Sequence, residues 1–87
     1  MKTIYKYAVD INDDINVDMP EGAQVLCVQV QNSLPCIWAL VDDKAKLVPY
    51  SFKWRGTGHP CGGIEGDKYV GTVQLHGGAL VFHLFQS

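Results

Sequence analysis

The residues best suited to chemistry lie in one glycine-rich segment in the second half of the chain. Residues 54–63 read WRGTGHPCGG and combine five polar or reactive side chains with four glycines. Arginine offers a bidentate fork for phosphate, histidine offers a second donor, and glycines let backbone N–H groups approach an anion. The segment therefore predicts a site for a small anionic, nucleotide-like ligand. The predicted ligand-binding residues are Trp54, Arg55, Gly56, Thr57, Gly58, His59 and His76.

The side chains of this segment have separate predicted roles. Arg55 would hold a phosphate with its guanidinium, and the ring of Trp54 would offer a flat face on which a base stacks. His76 would assist if the last hairpin lies beside the segment. A purely structural loop is the alternative, in which Arg55 pairs with Glu65 or Asp67 across the loop.

Residue spacing gives little support to metal binding or catalysis. A single residue separates His59 from Cys61, and the sequence has no C-x-x-C pair, so no metal site is predicted. Cys61 beside a histidine imitates a thiolate pair, but no serine nucleophile motif accompanies it. The adjacent acids at 13–14 and 42–43 stand in turns, where Asp is expected for backbone reasons. We therefore expect a binding protein without a cofactor, not an enzyme.

The charge balance excludes two classes of partner. Seven Lys and Arg oppose nine Asp and Glu, a net charge of −2. This excludes a broadly basic nucleic-acid binder and a strongly acidic nucleic-acid mimic, so no nucleic-acid partner is expected. Residues 44–55 hold four bases and no acid, which predicts a local anion-attracting patch. Ordinary solvated surface charges are the alternative interpretation.

Period-two patterning dominates the chain and predicts the elements that must position this segment. Apolar and polar residues alternate between turn signals rich in Asn, Asp, Gly and Pro. The predicted strands are residues 3–11, 15–19, 23–31, 36–41, 47–54, 68–75 and 79–85. We expect one all-β domain over residues 1–87, an antiparallel barrel or small sandwich of about seven strands. Because sequential strands usually pair, a mostly meander topology is predicted.

The length and the cysteine content indicate the oligomeric state and the cellular compartment. A chain of 87 residues buries only about 60% of its unfolded surface. Because so small a chain can hardly cover all its apolar strand faces alone, we expect a homodimer or higher oligomer. Three cysteines without paired spacing do not form a secreted disulfide framework. The first residues lack a signal-peptide pattern, and no apolar run approaches membrane-spanning length. We therefore expect a soluble, cytoplasmic protein with no membrane partner.

The sequence resembles a family of small uncharacterised proteins encoded by tailed phages and prophages. Six segments carry the resemblance, and they are spread along nearly the whole chain. They are residues 1–7, 19–23, 28–32, 35–42, 56–60 and 74–83. No activity is established for that family, so the resemblance implies a setting: a phage accessory protein acting in the host cytoplasm.

The phage resemblance, the loop and the charge pattern lead to three functional hypotheses. The first is sequestration of a nucleotide-like ligand that counters host defence signalling, by analogy with unrelated phage proteins of similar size. The second is an inhibitor of a host defence protein, acting through the acidic N-terminal half or an exposed strand edge. The third is a minor virion or structural component.

Overall fold

The structure is a computed structural model that describes residues 1–87, and it consists almost entirely of β-strands. The strands are β1 Lys2–Ala8, β2 Asp14–Pro20, β3 Gln24–Gln31, β4 Leu34–Asp42, β5 Leu47–Gly56, β6 Lys68–Leu75 and β7 Leu80–Gln86. A short 3-10 turn, His76–Gly78, joins the last two. The all-β prediction and the strand number are confirmed. No helix in the chain is long and apolar enough to cross a membrane.

Two separate antiparallel sheets form a sandwich. The three-stranded sheet has the order β1-β4-β3, and the four-stranded sheet has the order β2-β5-β7-β6. Because the sheets do not join into one closed sheet, the sandwich alternative is confirmed and the barrel alternative is not.

The predicted meander is wrong. Only β3–β4 and β6–β7 are sequential and hydrogen-bonded neighbours. Three of the other connections cross from one sheet to the other, and the connection from β5 to β6 skips the place that β7 fills. The inner face of each sheet is apolar and is covered by the inner face of the other sheet. Connections that cross between the sheets bring these two faces together.

The core lies between the sheets and follows the period-two pattern. Alternate residues of the central strands point inward, and those in the middle of β4, near the end of β5 and at Leu84 of β7 are buried. The buried core cluster is Met19, Val28, Ile37, Ala39, Val41, Phe52, Trp54, Val73 and Leu84. The outward-facing residues of the four-stranded sheet are mostly polar.

The two sides of the sandwich differ. On one side β3 and β6 approach closely, so that a Cβ at Gly71 would lie 2.8 Å from Val28 Cγ1. This explains why a glycine stands inside a strand, next to a shift in register between Tyr69 and Gly71. On the opposite side β1 and β2 are edge strands with an open groove between them. Burial raises the pKa of Tyr7 in this groove, and neighbouring Tyr5 adds to the effect.

Candidate ligand-binding cleft

A cleft of about 650 Å³ opens at one end of the sandwich. The connection between β1 and β2 forms one wall, and the end of β5 with its following loop forms the other. The lining residues are Ile11, Asn12, Asp13, Trp54, Arg55, Gly56, His59, Pro60, Gly62 and Phe82. Four of the seven predicted ligand-binding residues therefore meet at one cleft: Trp54, Arg55, Gly56 and His59.

The guanidinium of Arg55 ties the two walls together. Nη1 donates to the carbonyl oxygens of Asp13 at 3.0 Å and of Trp54 at 2.8 Å. Nη2 donates to the carbonyl oxygen of Gly62 at 3.0 Å. Since arginine carries five N–H donors, the Nε–H and one Nη2–H remain without an acceptor in the chain. Arg55 therefore joins the two walls of the cleft and keeps two unused donors.

The structural alternative for Arg55, a pair with Glu65 or Asp67, is wrong. Asp67 instead forms an ion pair with Lys53, whose Nζ lies 2.9 Å from Oδ2. The Glu65 side chain accepts a hydrogen bond from the backbone N–H of Gly63 at 3.0 Å. No carboxylate lies within 4.0 Å of Arg55, so its half-buried charge has only carbonyl oxygens as partners.

His59 is held against the strand end by a tight turn. Its backbone N–H donates to the Gly56 carbonyl at 3.1 Å, which closes a four-residue turn. The ring lies over Gly56, where a Cβ would be only 2.6 Å from Nδ1 of His59. Position 56 must therefore be glycine for the imidazole to lie on the cleft wall.

The stacking role predicted for Trp54 does not fit its burial. Only 1% of Trp54 is exposed, and its ring packs edge-on against Phe82 with the centroids 6.5 Å apart. Its indole N–H donates to the Asp10 carbonyl at 3.1 Å. The ring faces are covered by the core, so Trp54 supports the cleft floor and offers no platform for a base.

The other three predicted residues lie outside the cleft lining. Thr57 continues the sheet, because its backbone N–H donates to the Val81 carbonyl at 3.1 Å. Gly58 lies at the exposed tip of the turn. His76 opens the turn between β6 and β7 and is not part of the cleft, so its predicted assistance is not supported. That strand pair brings Phe82 to the cleft instead.

A polar chain on the outer face of the four-stranded sheet was missed by sequence reasoning. His83 is opposite Arg55 in the register of β5 and β7. Its Nε2 lies 2.7 Å from Thr57 Oγ1, and its Nδ1 lies 2.8 Å from Thr72 Oγ1. Thr72 in turn contacts the Tyr69 hydroxyl. The strand alternation predicted that His83 faces outward, but only the register of three strands brings these partners together.

The anion-attracting patch predicted from residues 44–55 is not a single patch. Lys46 precedes β5 and Arg55 is its second-last residue, so nine residues at about 3.3 Å each separate them by about 30 Å. Lys46 also lies 3.8 Å from Glu21, and Lys53 is paired as described above. Of the four bases only Arg55 lines the cleft, and Asp13 lines it too, so the electrostatics are mixed.

No group of three or more His, Cys, Asp or Glu side chains is placed to hold a metal ion. The three cysteines are free thiols. Cys61 is exposed, with Sγ 3.6 Å from the His59 carbonyl.

The fold and cleft define a class: a small two-sheet antiparallel β-sandwich with a partly polar cleft at one end. The particular family follows from a comparison with family models. Residues 1–87 match the model of a domain of unknown function, DUF7352, and the chain belongs to that family. No curated protein and no solved structure matches the chain significantly.

Proposed function

We propose that the chain is a binding domain that takes a small anionic ligand into the end cleft without converting it. The observation that carries this proposal is Arg55. Its charge is half-buried, it has no carboxylate partner, and two of its N–H donors are unused at the cleft wall. A charge in this position favours an anion that can accept from both free donors. His59 adds an imidazole on the same wall.

The dimensions and lining of the cleft suit a phosphate-bearing molecule of mononucleotide size. Its volume of about 650 Å³ lies within the range of about 300–1,000 Å³ that small-molecule sites occupy. Because Trp54 is covered, an apolar or aromatic part of the ligand would contact Ile11, Pro60 and Phe82. Asp13 would repel a highly charged ligand and so favours one with few negative charges.

The phage setting stays a prediction from the resemblance. In that setting the domain would sequester a nucleotide-like signal in the host cytoplasm and so counter host defence. Sequestration needs binding alone, which agrees with a cleft that combines donors with apolar walls.

Calorimetric titration tests the proposal with inorganic phosphate, mononucleotides and nucleotide second messengers. We expect at least one to bind, and Arg55→Lys to weaken it by roughly 1–3 kcal/mol, because the charge remains but the fork is lost. Lys68→Arg, at a surface position away from the cleft, is the matched control and should bind unchanged. No binding to the unmodified chain, or equal binding by Arg55→Lys, would contradict the proposal.

A second variant separates anion binding from loop ordering, since Arg55 also holds three backbone carbonyls. Asp13→Asn removes a negative charge from the lining but keeps the backbone oxygen that Arg55 contacts. We expect anion affinity to rise about two- to five-fold, the scale of an exposed charge interaction. Glu21→Gln, which also removes one negative charge but lies at the other end of the sandwich, should leave it unchanged.

A protein-interaction function is the second candidate, and the outer face of the three-stranded sheet favours it. Ile4 and Leu26 are 56% and 46% exposed there, beside a half-buried Trp38. These residues border one shallow apolar depression. Exposed apolar patches of this kind often mark protein contacts. If this candidate is right, Leu26→Ser would abolish capture of a host protein while ligand titrations remain blank.

A further inference from the structure

We propose that two copies of the chain join edge to edge, with β1 of each copy pairing with β2 of the other. The result is a two-fold symmetric dimer in which each three-stranded sheet continues into the four-stranded sheet of the partner copy. This inference does not depend on the end cleft having a ligand. It rests on the backbone, the charges and the direction of the two edge strands.

The backbone of β1 has a free edge on alternate residues. The bonds that flank its pairing with β4 are Asp43 N–H to the Met1 carbonyl and Val9 N–H to the Pro35 carbonyl. Because antiparallel bonds alternate, the odd-numbered residues of β1 point their backbone groups at β4. The even-numbered residues point theirs outward, where no strand lies.

The same parity holds for β2. Its flanking bonds are Trp54 N–H to the Asp13 carbonyl and Glu21 N–H to the Lys46 carbonyl. The odd-numbered residues of β2 therefore bond β5, and Asp14, Asn16 and Asp18 present free N–H and C=O groups. Proteins usually protect such edges with lysine, proline or a bulge. β2 contains no lysine or bulge, and Pro20 is its last residue.

The charges on the two free edges are complementary. The even-numbered residues include Lys2 and Lys6 on β1 and Asp14 and Asp18 on β2, with the same spacing. None of these four side chains forms a salt bridge within the chain. Antiparallel pairing with Ile4 opposite Asn16 places Lys6 opposite Asp14 and Lys2 opposite Asp18. Opposite charges at facing positions stabilise a strand pair.

The dimer contains two β1–β2 pairings, which we call seams. The directions of the strands allow both seams to form at once. Residues 9–13 connect β1 to β2 and span at most about 20 Å. If β2 ran parallel to β1, this connection would have to return along a strand of about 23 Å and also cross to the other sheet, and it is too short for both. β2 therefore runs opposite to β1. A two-fold axis parallel to the strands exchanges the layers, so each β1 meets the partner copy's β2 in antiparallel orientation. Both end clefts then open at the same end of the dimer.

In the proposed pairing, the inward-facing residues of β1 also meet the inward-facing residues of β2. Cross-strand partners share a face, so the odd-numbered residues of β1 face inward with Ile37 and Ala39. Those of β2 face inward with Phe52. In the proposed register Tyr5 meets Ile15 on the inner face, and the lysines meet the aspartates on the outer face. The groove of about 520 Å³ between the two edges, which is open in one copy, would be covered.

The alternative symmetric pairings are disfavoured by charge. β1 against β1 would oppose Lys2 to Lys6, and β2 against β2 would oppose Asp14 to Asp18. Like charges at facing positions destabilise a strand pair. Only the β1–β2 seam brings opposite charges together, and it does so twice in a closed dimer.

Two charge-reversal variants test the seam by sedimentation. The first carries Asp14→Lys with Asp18→Lys, and the second carries Lys2→Asp with Lys6→Asp. We expect the unmodified chain to be a dimer and each variant alone to have a dissociation constant raised by about 100-fold or more, because both seams then oppose like charges. An equimolar mixture of the two variants should restore the dimer, since both seams pair opposite charges again.

Lys68→Asp is the control, because it reverses a lysine on β6, at the sheet edge opposite β2, and should remain dimeric. Asn16→Pro tests the backbone without changing charge: it removes an outward N–H from the middle of β2, where proline is tolerated, and should give a monomer. Circular dichroism establishes that each variant keeps its strands. A monomeric unmodified chain, dimeric single variants, or a mixture that stays monomeric would overturn the proposal.

Discussion

At the scale of single residues, the cleft is built from backbone contacts more than from paired charges. Arg55 uses three donors on carbonyl oxygens from two walls, and Gly56 gives the His59 ring its place. The sequence singled out these three residues by their chemistry and by the density of glycine, and the structure brings them to one cleft. The stacking role predicted for Trp54 does not fit the structure, because strands distant in the chain cover the faces of the ring.

A Gly56→Ala substitution tests the placement of His59. The added methyl would lie 2.6 Å from Nδ1, and because His59 is exposed its ring can swing away. We expect the ring proton resonances of His59 to shift, while the free energy of unfolding changes by no more than about 1 kcal/mol. Gly62→Ala, also in the lining but with open space around its Cβ, is the control. An unchanged His59 spectrum in Gly56→Ala would contradict this geometry.

At the scale of strands, the alternation of apolar and polar residues predicted which faces are buried, but it did not predict how the strands are connected. The period-two pattern placed Phe52 and Trp54 on one face of β5 and Leu84 on the matching face of β7, as the buried core has them. Nothing local to β1 or β2 indicates that they lie in different sheets. Strand order is decided by which apolar faces cover each other across the whole chain, so the default of sequential pairing failed.

The close packing of β3 against β6 is tested by the substitution Gly71→Ala. A methyl there would lie 2.8 Å from Cγ1 of Val28, which is buried and has a stiff, branched side chain. We expect this substitution to lower the free energy of unfolding by about 1–3 kcal/mol, the usual cost of overpacking. Gln74→Ala, at an exposed position on the same strand, should be nearly neutral in the same denaturant titration. Equal stabilities for the two variants would show that β3 and β6 are farther apart.

At the scale of the whole molecule, the open side and the open end have different proposed uses. The end cleft combines Arg55 and His59 with apolar walls, which supports ligand binding. The side with β1 and β2 has free backbone groups and complementary charges, which supports dimer formation. The sequence contained the charges of both regions, but their grouping depends on contacts between residues about 40 positions apart, such as Asp13 with Arg55.

The most direct test of ligand binding is an amide NMR titration of the unmodified chain with inorganic phosphate and with adenosine monophosphate. We expect saturable shifts confined to the cleft walls, at residues 11–13 and 55–62, with the larger affinity for the nucleotide because it also contacts the apolar lining. Shifts that do not saturate, or saturable shifts that lie only outside these residues, would contradict an anion site in the end cleft.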